Sequence, residues 1–225
     1  MFRVEDKYII PKNDFFELRE RLSAVLPKDS NSLSDPNGYK ISSLYFDDLS
    51  DSDYFDTLDG NPYRKKHRIR IYNDSLSTIK LEVKMKQYNR IAKSSISISR
   101  DEMECLIAGQ TITWGKTRDD PRSVFNELIL SQGLRPRVIV TYEREAFLYS
   151  SGNTRITFDH SVRASNLIEL FGNPLLIHDS LPGDDYVLEV KYDEFIPDFI
   201  LQLLEIDSME QTAYSKYQFC REIYM

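Results

Sequence analysis

Long apolar runs are missing from this chain: no uninterrupted hydrophobic segment approaches the roughly 18 residues that a bilayer-spanning helix needs. Cysteine is scarce. The two present, Cys105 and Cys220, lie far apart in segments of helical pattern and lack C-x-x-C spacing, which argues for free thiols rather than a disulfide or a zinc site. The three histidines, His67, His160 and His178, are scattered without metal-ligand spacing, so histidine-based metal chemistry is not expected. Basic residues are outnumbered, 29 Lys and Arg against 36 Asp and Glu, and the net charge of -7 argues against a general nucleic-acid binder. The opening Met1 to Lys7 has no apolar segment of the signal-peptide kind. A cytoplasmic protein without a membrane segment of its own is therefore the expectation.

What is present is enough for one domain spanning residues 1–225, with 41% hydrophobic residues to build a core. Charge is segregated along it. Tyr63 to Tyr72 holds five Lys and Arg residues in ten, whereas 47–53 and 179–185 are acidic. Helical spacing runs from Pro11 to Pro27 through Phe15, Leu18 and Leu22. The capping-box pattern Ser99-Arg100-Asp101-Glu102 opens a second helix that ends at Gly109. Asp120-Pro121 opens a third, ending at Gly133, and two more are expected over 198–204 and 215–224. Alternating segments predict strands over 2–10, 41–47, 64–73, 78–88, 91–99, 136–149, 154–159 and 185–193. Near-contiguous pairs among them imply hairpins, antiparallel order and an α+β fold. Asp29 to Gly38 and Phe171 to Gly183 read as loops, the acidic 47–59 stretch as solvated surface, and Trp114 and the tyrosines as packing residues.

Because side chains alternate across a strand, parity sorts each segment into two faces. Arg3, Glu5 and Lys7 share one face. Arg68 and Arg70 oppose Ile69 and Ile71; Lys80, Glu82, Lys84 and Lys86 oppose Leu81 and Val83. Arg155, Thr157 and Asp159 oppose Ile156 and Phe158, and Glu189 and Lys191 oppose Leu188 and Val190. Any one such strand reads as an ordinary sheet with a wet, charged face. Five of them, beside amphipathic helices that must cover something apolar, point to a closed antiparallel barrel of about eight strands with helices packed outside and charge turned inward.

A cationic interior is unfavourable when empty, so it implies a polyanionic ligand. The interior candidates are Lys7, Arg68, Arg70, Lys84, Arg144, Arg155 and Lys191, with Lys93 and Lys216 at the mouths. Such a ring suits a triphosphate or a phosphate chain. Duplex nucleic acid would not fit inside. Glu5, Glu82 and Glu189 among these cations have two readings: oxygen ligands for Mg²⁺ or Mn²⁺, or simple partners that fix the neighbouring Lys and Arg side chains.

Glu5-Asp6-Lys7-Tyr8, Arg68-Ile69-Arg70, Leu81-Glu82-Val83-Lys84, Tyr142-Glu143-Arg144-Glu145-Ala146-Phe147, Arg155-Ile156-Thr157-Phe158-Asp159, Leu188-Glu189-Val190-Lys191 and Ser215-Lys216-Tyr217 occur in order. Together they resemble the vacuolar transporter chaperone (VTC) domain, the polyphosphate polymerase branch of the triphosphate tunnel metalloenzymes, over residues 3 to about 220. The resemblance implies an antiparallel tunnel that binds ATP and inorganic polyphosphate and needs a divalent metal, often manganese. It marks Lys7, Arg68, Arg70, Lys84, Lys93, Arg144, Arg155 and Lys216 as phosphate-binding, Glu189 as metal-binding, and Tyr142 as a contact of the terminal phosphate. Arg3 stands where the wider superfamily often has the first glutamate of Glu-x-Glu-x-Lys, a departure that fits the polymerase branch. The expected reaction passes the γ-phosphoryl group of ATP to a growing polyphosphate; Arg68, Arg70, Arg144, Arg155 and Lys216 would carry the catalysis and Lys7, Lys84, Lys93, Lys191 and Tyr142 the binding. A tripolyphosphatase or nucleoside triphosphatase and a non-catalytic phosphate-binding module are the alternatives, and moving a polymer across a membrane would need a separate membrane partner.

Overall fold

The computed structural model describes residues 2–29, 38–181, 183, 186–205 and 209–225. Most of the loop expected over Asp29 to Gly38, and Asp184 and Asp185 of the second acidic stretch, lie outside the described residues. Within them are nine strands, β1 (Arg3–Ile10), β2 (Tyr39–Asp47), β3 (Tyr63–Tyr72), β4 (Ser75–Gln87), β5 (Arg90–Ile98), β6 (Arg135–Tyr149), β7 (Thr154–Ser165), β8 (Asp179–Ser180) and β9 (Tyr186–Tyr192). Six helices accompany them: α1 (Lys12–Val25), α2 (Ser52–Leu58), α3 (Arg100–Ile107), α4 (Pro121–Gln132), α5 (Asp198–Leu204) and α6 (Lys216–Glu222).

The sheet runs β6-β2-β3-β4-β5-β1-β9-β7, and β7 pairs back onto β6, so eight strands close; β8 adds only a two-residue edge on β7. Every pairing is antiparallel. The expected barrel is therefore formed, and the turn chemistry explains the neighbours. Asn73 and Asp74, both at positive φ, join β3 to β4 in the manner of a two-residue hairpin. Ser99 and Glu102 form the reciprocal cap of α3, and Asp120 caps α4 ahead of Pro121.

Two apolar layers wrap the outside. Leu44, Ile69, Ile71, Leu81 and Val83 of β2 to β4 pack with Met103 and Leu106 of α3 and Phe125 of α4. Across the barrel, Ile156, Phe158, Leu188 and Val190 pack with Phe15, Leu18 and Leu22 of α1 and Ile200 and Leu204 of α5. These residues are the aliphatic parity of each strand, so the opposite parity must point into the bore. α6 is the exception among the helices. Tyr217 and Cys220 pack with Tyr45, Val138, Val140 and Ala164, and Tyr217 stacks on Tyr45 at 4.9 Å, so this helix closes one end of the bore from the inside.

Three sequence expectations need correction. Strand β7 continues to Ser165 rather than ending at 159, because Ser161 at φ 53 takes up a register shift against β6 and lets Val162 and Ala164 continue the inward row. The acidic 47–59 stretch holds helix α2, and its Asp47 is buried. Asp47 accepts hydrogen bonds from the backbone of Asp53 and Tyr54 and from the Tyr217 hydroxyl, so the charge serves to hold α6 in place. Tyr39 and Tyr45 pack, as expected, and so does Tyr142, the residue expected to contact phosphate, but the hydroxyls of all three also meet arginines in the bore.

Gly38, at φ 93, brings the chain onto β6 just before β2; a Cβ there would lie 2.1 Å from the carbonyl oxygen of Arg144. Gly38→Ala should therefore destabilise the fold by about 2 kcal/mol or more, a Tm fall of roughly 4–8 °C. Thermal denaturation of the variant checks this; an unchanged Tm would refute it.

Candidate active site

The inward rows converge. A cavity of about 790 Å³ is lined by Glu5, Arg68, Arg70, Lys84, Lys93, Arg144, Arg155 and Lys191, with Tyr39, Tyr72, Asn73, Ser75 and Ser77 also on its wall. Lys7 and Lys216 reach the same interior from the α6 side: Lys7 Nζ donates to the Tyr214 carbonyl at 2.9 Å, and Lys216 Nζ lies 2.6 Å from Asp159. On the far side of the Glu5 and Lys84 side chains a smaller cavity of about 90 Å³ is bordered by Lys7, Arg64, Lys65, Lys66, Lys86 and the segment Thr212 to Ser215.

Each of the nine predicted cations has a carboxylate within 4.0 Å. Glu82 takes three: Arg68 at 2.7 Å, Lys93 at 2.8 Å and Arg70 at 4.0 Å. Glu5, on β1 between the two Leu-Glu-Val-Lys segments, lies 2.8 Å from Lys84, 3.5 Å from Lys7 and 3.7 Å from Lys191. Glu189 lies 2.9 Å from Lys191, 3.1 Å from Arg144 and 3.7 Å from Lys7. Arg144 binds Asp159 through two nitrogens, at 2.6 and 2.7 Å. Arg155 meets Asp29 at 2.5 Å.

Asp29 and Asp159 were not among the predicted site residues. Asp159 was on the correct face but carried no assigned role, whereas Asp29 fell in a stretch read as loop. Its signal is positional. The chain from Pro27 to Asp29 pairs with the end of β6, through Leu148 N to the Pro27 carbonyl and Asp29 N to the Ala146 carbonyl, beyond the point where β2 stops.

The charges alter one another. Burial pushes the carboxyl groups of Glu5, Glu82, Asp159 and Glu189 up, but the surrounding Lys and Arg side chains outweigh it and hold all four below the ordinary carboxylate range. For the lysines the balance differs. Burial and the Lys7 and Lys191 charges push Lys84 down to about 8 despite Glu5, and burial lowers Lys93 and Lys191 as well. Lys7 is raised, since Glu189, Glu5 and Asp159 outweigh its burial.

The tyrosines complete the wall. Arg68 donates to the Tyr45 hydroxyl at 2.9 Å and Arg70 to that of Tyr142 at 3.3 Å. The Tyr142 ring lies 4.8 Å from Lys216 Nζ and 5.3 Å from the Arg144 guanidinium, in cation–π range. Arg70 also donates to Ser43 at 3.0 Å, so Arg68, Arg70 and Arg144 are fixed by partners on neighbouring strands, and Arg155 by Tyr39 on β2, beyond β6. This arrangement can bind and orient an extended polyanion.

For a divalent cation the donors are the Glu5 and Glu189 carboxylates, both buried and mutually close enough that each affects the other's ionisation. Among the described residues no group of three or more acidic, histidine or cysteine side chains forms a ready-made cage. Two hard oxygen donors fit an ion of the Mg²⁺ or Mn²⁺ type that takes its remaining ligands from water and phosphate. Glu82 is instead enclosed by Arg68, Lys93 and the Ser95 hydroxyl.

Comparison with known proteins agrees with this geometry. The Bacillus halodurans protein bh2851 superposes with a TM-score of 0.55 at 15% identity, over 93% of this chain and 91% of that one. The PH1819 protein of Pyrococcus horikoshii OT3 gives a TM-score of 0.51 at 14% identity, over 98% and 99%. At such identities these likenesses establish the fold. No curated protein matches the chain. No helix among the described residues is long and apolar enough to cross a membrane. The family model described as the VTC domain matches residues 2–224, the whole of the barrel with its helices, and the chain belongs to the VTC-domain family.

Proposed function

We propose that this protein is a metal-dependent polyphosphate polymerase that transfers the γ-phosphoryl group of ATP to the end of a polyphosphate chain within the bore. The observation that carries the choice of transfer over hydrolysis is the state of the carboxylates. Glu5, Glu82, Asp159 and Glu189 are all tied to cations and all held below the ordinary range, so each is a weaker base toward water than a free carboxylate. A terminal phosphate is already ionised at neutral pH and needs no base. Phosphoryl transfer asks chiefly for alignment and charge neutralisation.

Those tasks fall to named residues. Arg68, Arg70, Arg144 and Arg155 bind equatorial phosphate oxygens, each guanidinium already oriented by a tyrosine, serine or carboxylate partner. Lys216, brought in by α6, and Lys7 neutralise charge at the closed end, and Lys84, Lys93 and Lys191 line the walls. Glu189, assisted by Glu5, would hold the divalent ion, which would supply charge neutralisation to the phosphates. The contacts of Glu82 support an orienting role toward Arg68 and Lys93. ATP and inorganic polyphosphate are the proposed substrates, Mn²⁺ or Mg²⁺ the metal.

Incubation with ATP and Mn²⁺ followed by product analysis tests the reading. Long, dye-binding polymer together with ADP is expected; orthophosphate as the sole phosphate product would overturn transfer in favour of hydrolysis. Glu189→Gln should lower turnover roughly a hundredfold or more. Retention of full turnover by that variant would remove Glu189 from the metal site.

The pKa of Lys84 gives a second prediction. At pH 8 its amine is about half protonated in the free protein, and a bound polyanion favours the charged form, so binding of tripolyphosphate takes up protons and weakens as pH climbs past 8. Calorimetry in buffers of different ionisation heat should show this uptake at pH 8, reduced in Lys84→Gln. Equal uptake by both proteins would show that the titrating group lies elsewhere.

A further inference from the structure

We propose that Asp29 is a built-in competitor for the Arg155 guanidinium, placed at the open end of the bore so that a phosphate oxygen must displace a carboxylate to bind that arginine through Nη2. The inference rests on the reading of the bore as a phosphate-chain site and adds a residue that sets how tightly the chain is held.

Arg155 Nη2 makes two contacts, with Asp29 Oδ2 at 2.5 Å and with the Tyr39 hydroxyl at 3.0 Å. A guanidinium Nη carries two protons, and these contacts account for both. A phosphate oxygen that takes Arg155 through this nitrogen must replace one of them. Asp29 is the charged partner, and like a phosphate oxygen it approaches from the lumen, since both residues line the cavity.

The carboxylate is held there by the backbone. Asp29 N donates to the Ala146 carbonyl at 2.8 Å, Leu148 N donates to the Pro27 carbonyl at 3.0 Å, and Lys28 bridges Phe147. In this short extension of the barrel wall, Lys28 meets Glu145 on the outward parity, which leaves Asp29 on the inward one. Its electrostatic task is evident from the neighbours. Arg155 lies directly across from Lys191 on β9, two like charges at paired positions, and Asp29 offsets that repulsion. A phosphate would offset it equally well. Asp29 and the ligand therefore perform the same function by turns, and the resting carboxylate lowers the net affinity for the chain.

The Arg155 side chain is 28% exposed and that of Asp29 6%, so the pair is partly screened and its removal should matter by a modest factor. Titration calorimetry with tripolyphosphate in buffer containing a metal chelator, which prevents turnover, reads the effect. Asp29→Asn is expected to bind about fivefold more tightly than the wild type, and Asp29→Glu, which keeps the charge, to remain near the wild type. If Asp29 merely positioned Arg155, Asp29→Asn would bind equally or more weakly, and that result overturns the proposal. Tightening in Asp29→Glu as large as in Asp29→Asn overturns it too. Should the Asn variant fail to fold, Asp29→Ser removes the same charge and gives the same readout. A wild type that does not bind tripolyphosphate at all strikes the phosphate-chain reading itself, whereas normal wild-type binding with an unaffected Asn variant strikes only the role of Asp29.

Discussion

The structure depends on carboxylates holding cations apart inside a closed barrel. Nine Lys and Arg side chains crowded into one bore would drive its wall apart, and burial alone would strip several lysines of their protons. Five acidic side chains prevent this: Glu5, Asp29, Glu82, Asp159 and Glu189 each touch at least one of the nine. They are fewer than the cations they serve, so the bore stays positive and receptive to an anion. The balance is finest at Lys84, where Glu5 does not fully offset burial and the neighbouring charges.

The same pairs give the site its rigidity. A guanidinium fixed by a carboxylate on one side and a tyrosine on the other would lose little freedom on binding an anion, and in the proposed transfer such fixed dipoles would need little reorganisation. The cross-strand placement matters as much as the charges. Glu82 lies opposite Arg68, Glu189 opposite Lys7 and Asp159 opposite Arg144 in the strand registers, so closing the barrel also sets the pairs. Stability and, under the proposed function, phosphate binding therefore draw on one set of side chains. Helix α6 joins that set at its end: Lys216 meets Asp159 inside the bore while Tyr217 is tied to Asp47 beside α2.

Much of this was legible from alternation alone. Arg68 and Arg70, Lys84, Arg155 and Lys191 are inward because their strands are regular and the apolar parity names the outside. Legibility failed wherever the period broke. Past His160 the bulge at Ser161 moves the inward row onto Val162 and Ala164, so simple parity would point the wrong way. Asp47 and Asp53 looked like surface charge because an acidic run has no period, yet backbone amides and the His67 ring bind them in place. Asp29 was hidden in a polar stretch that local propensity assigns to a loop.

The sequence by itself determined the α+β class, the antiparallel hairpins, the ends of α3 and α4, and which side of each strand is charged, since these follow from local periodicity and capping chemistry. Only the tertiary structure decided which carboxylate meets which cation, that α6 closes the bore from within, and that Asp29 reaches Arg155 across 126 positions of chain. The reason is physical: alternation is a property of a few consecutive residues, whereas a charge pair depends on register and closure, which the whole barrel sets at once.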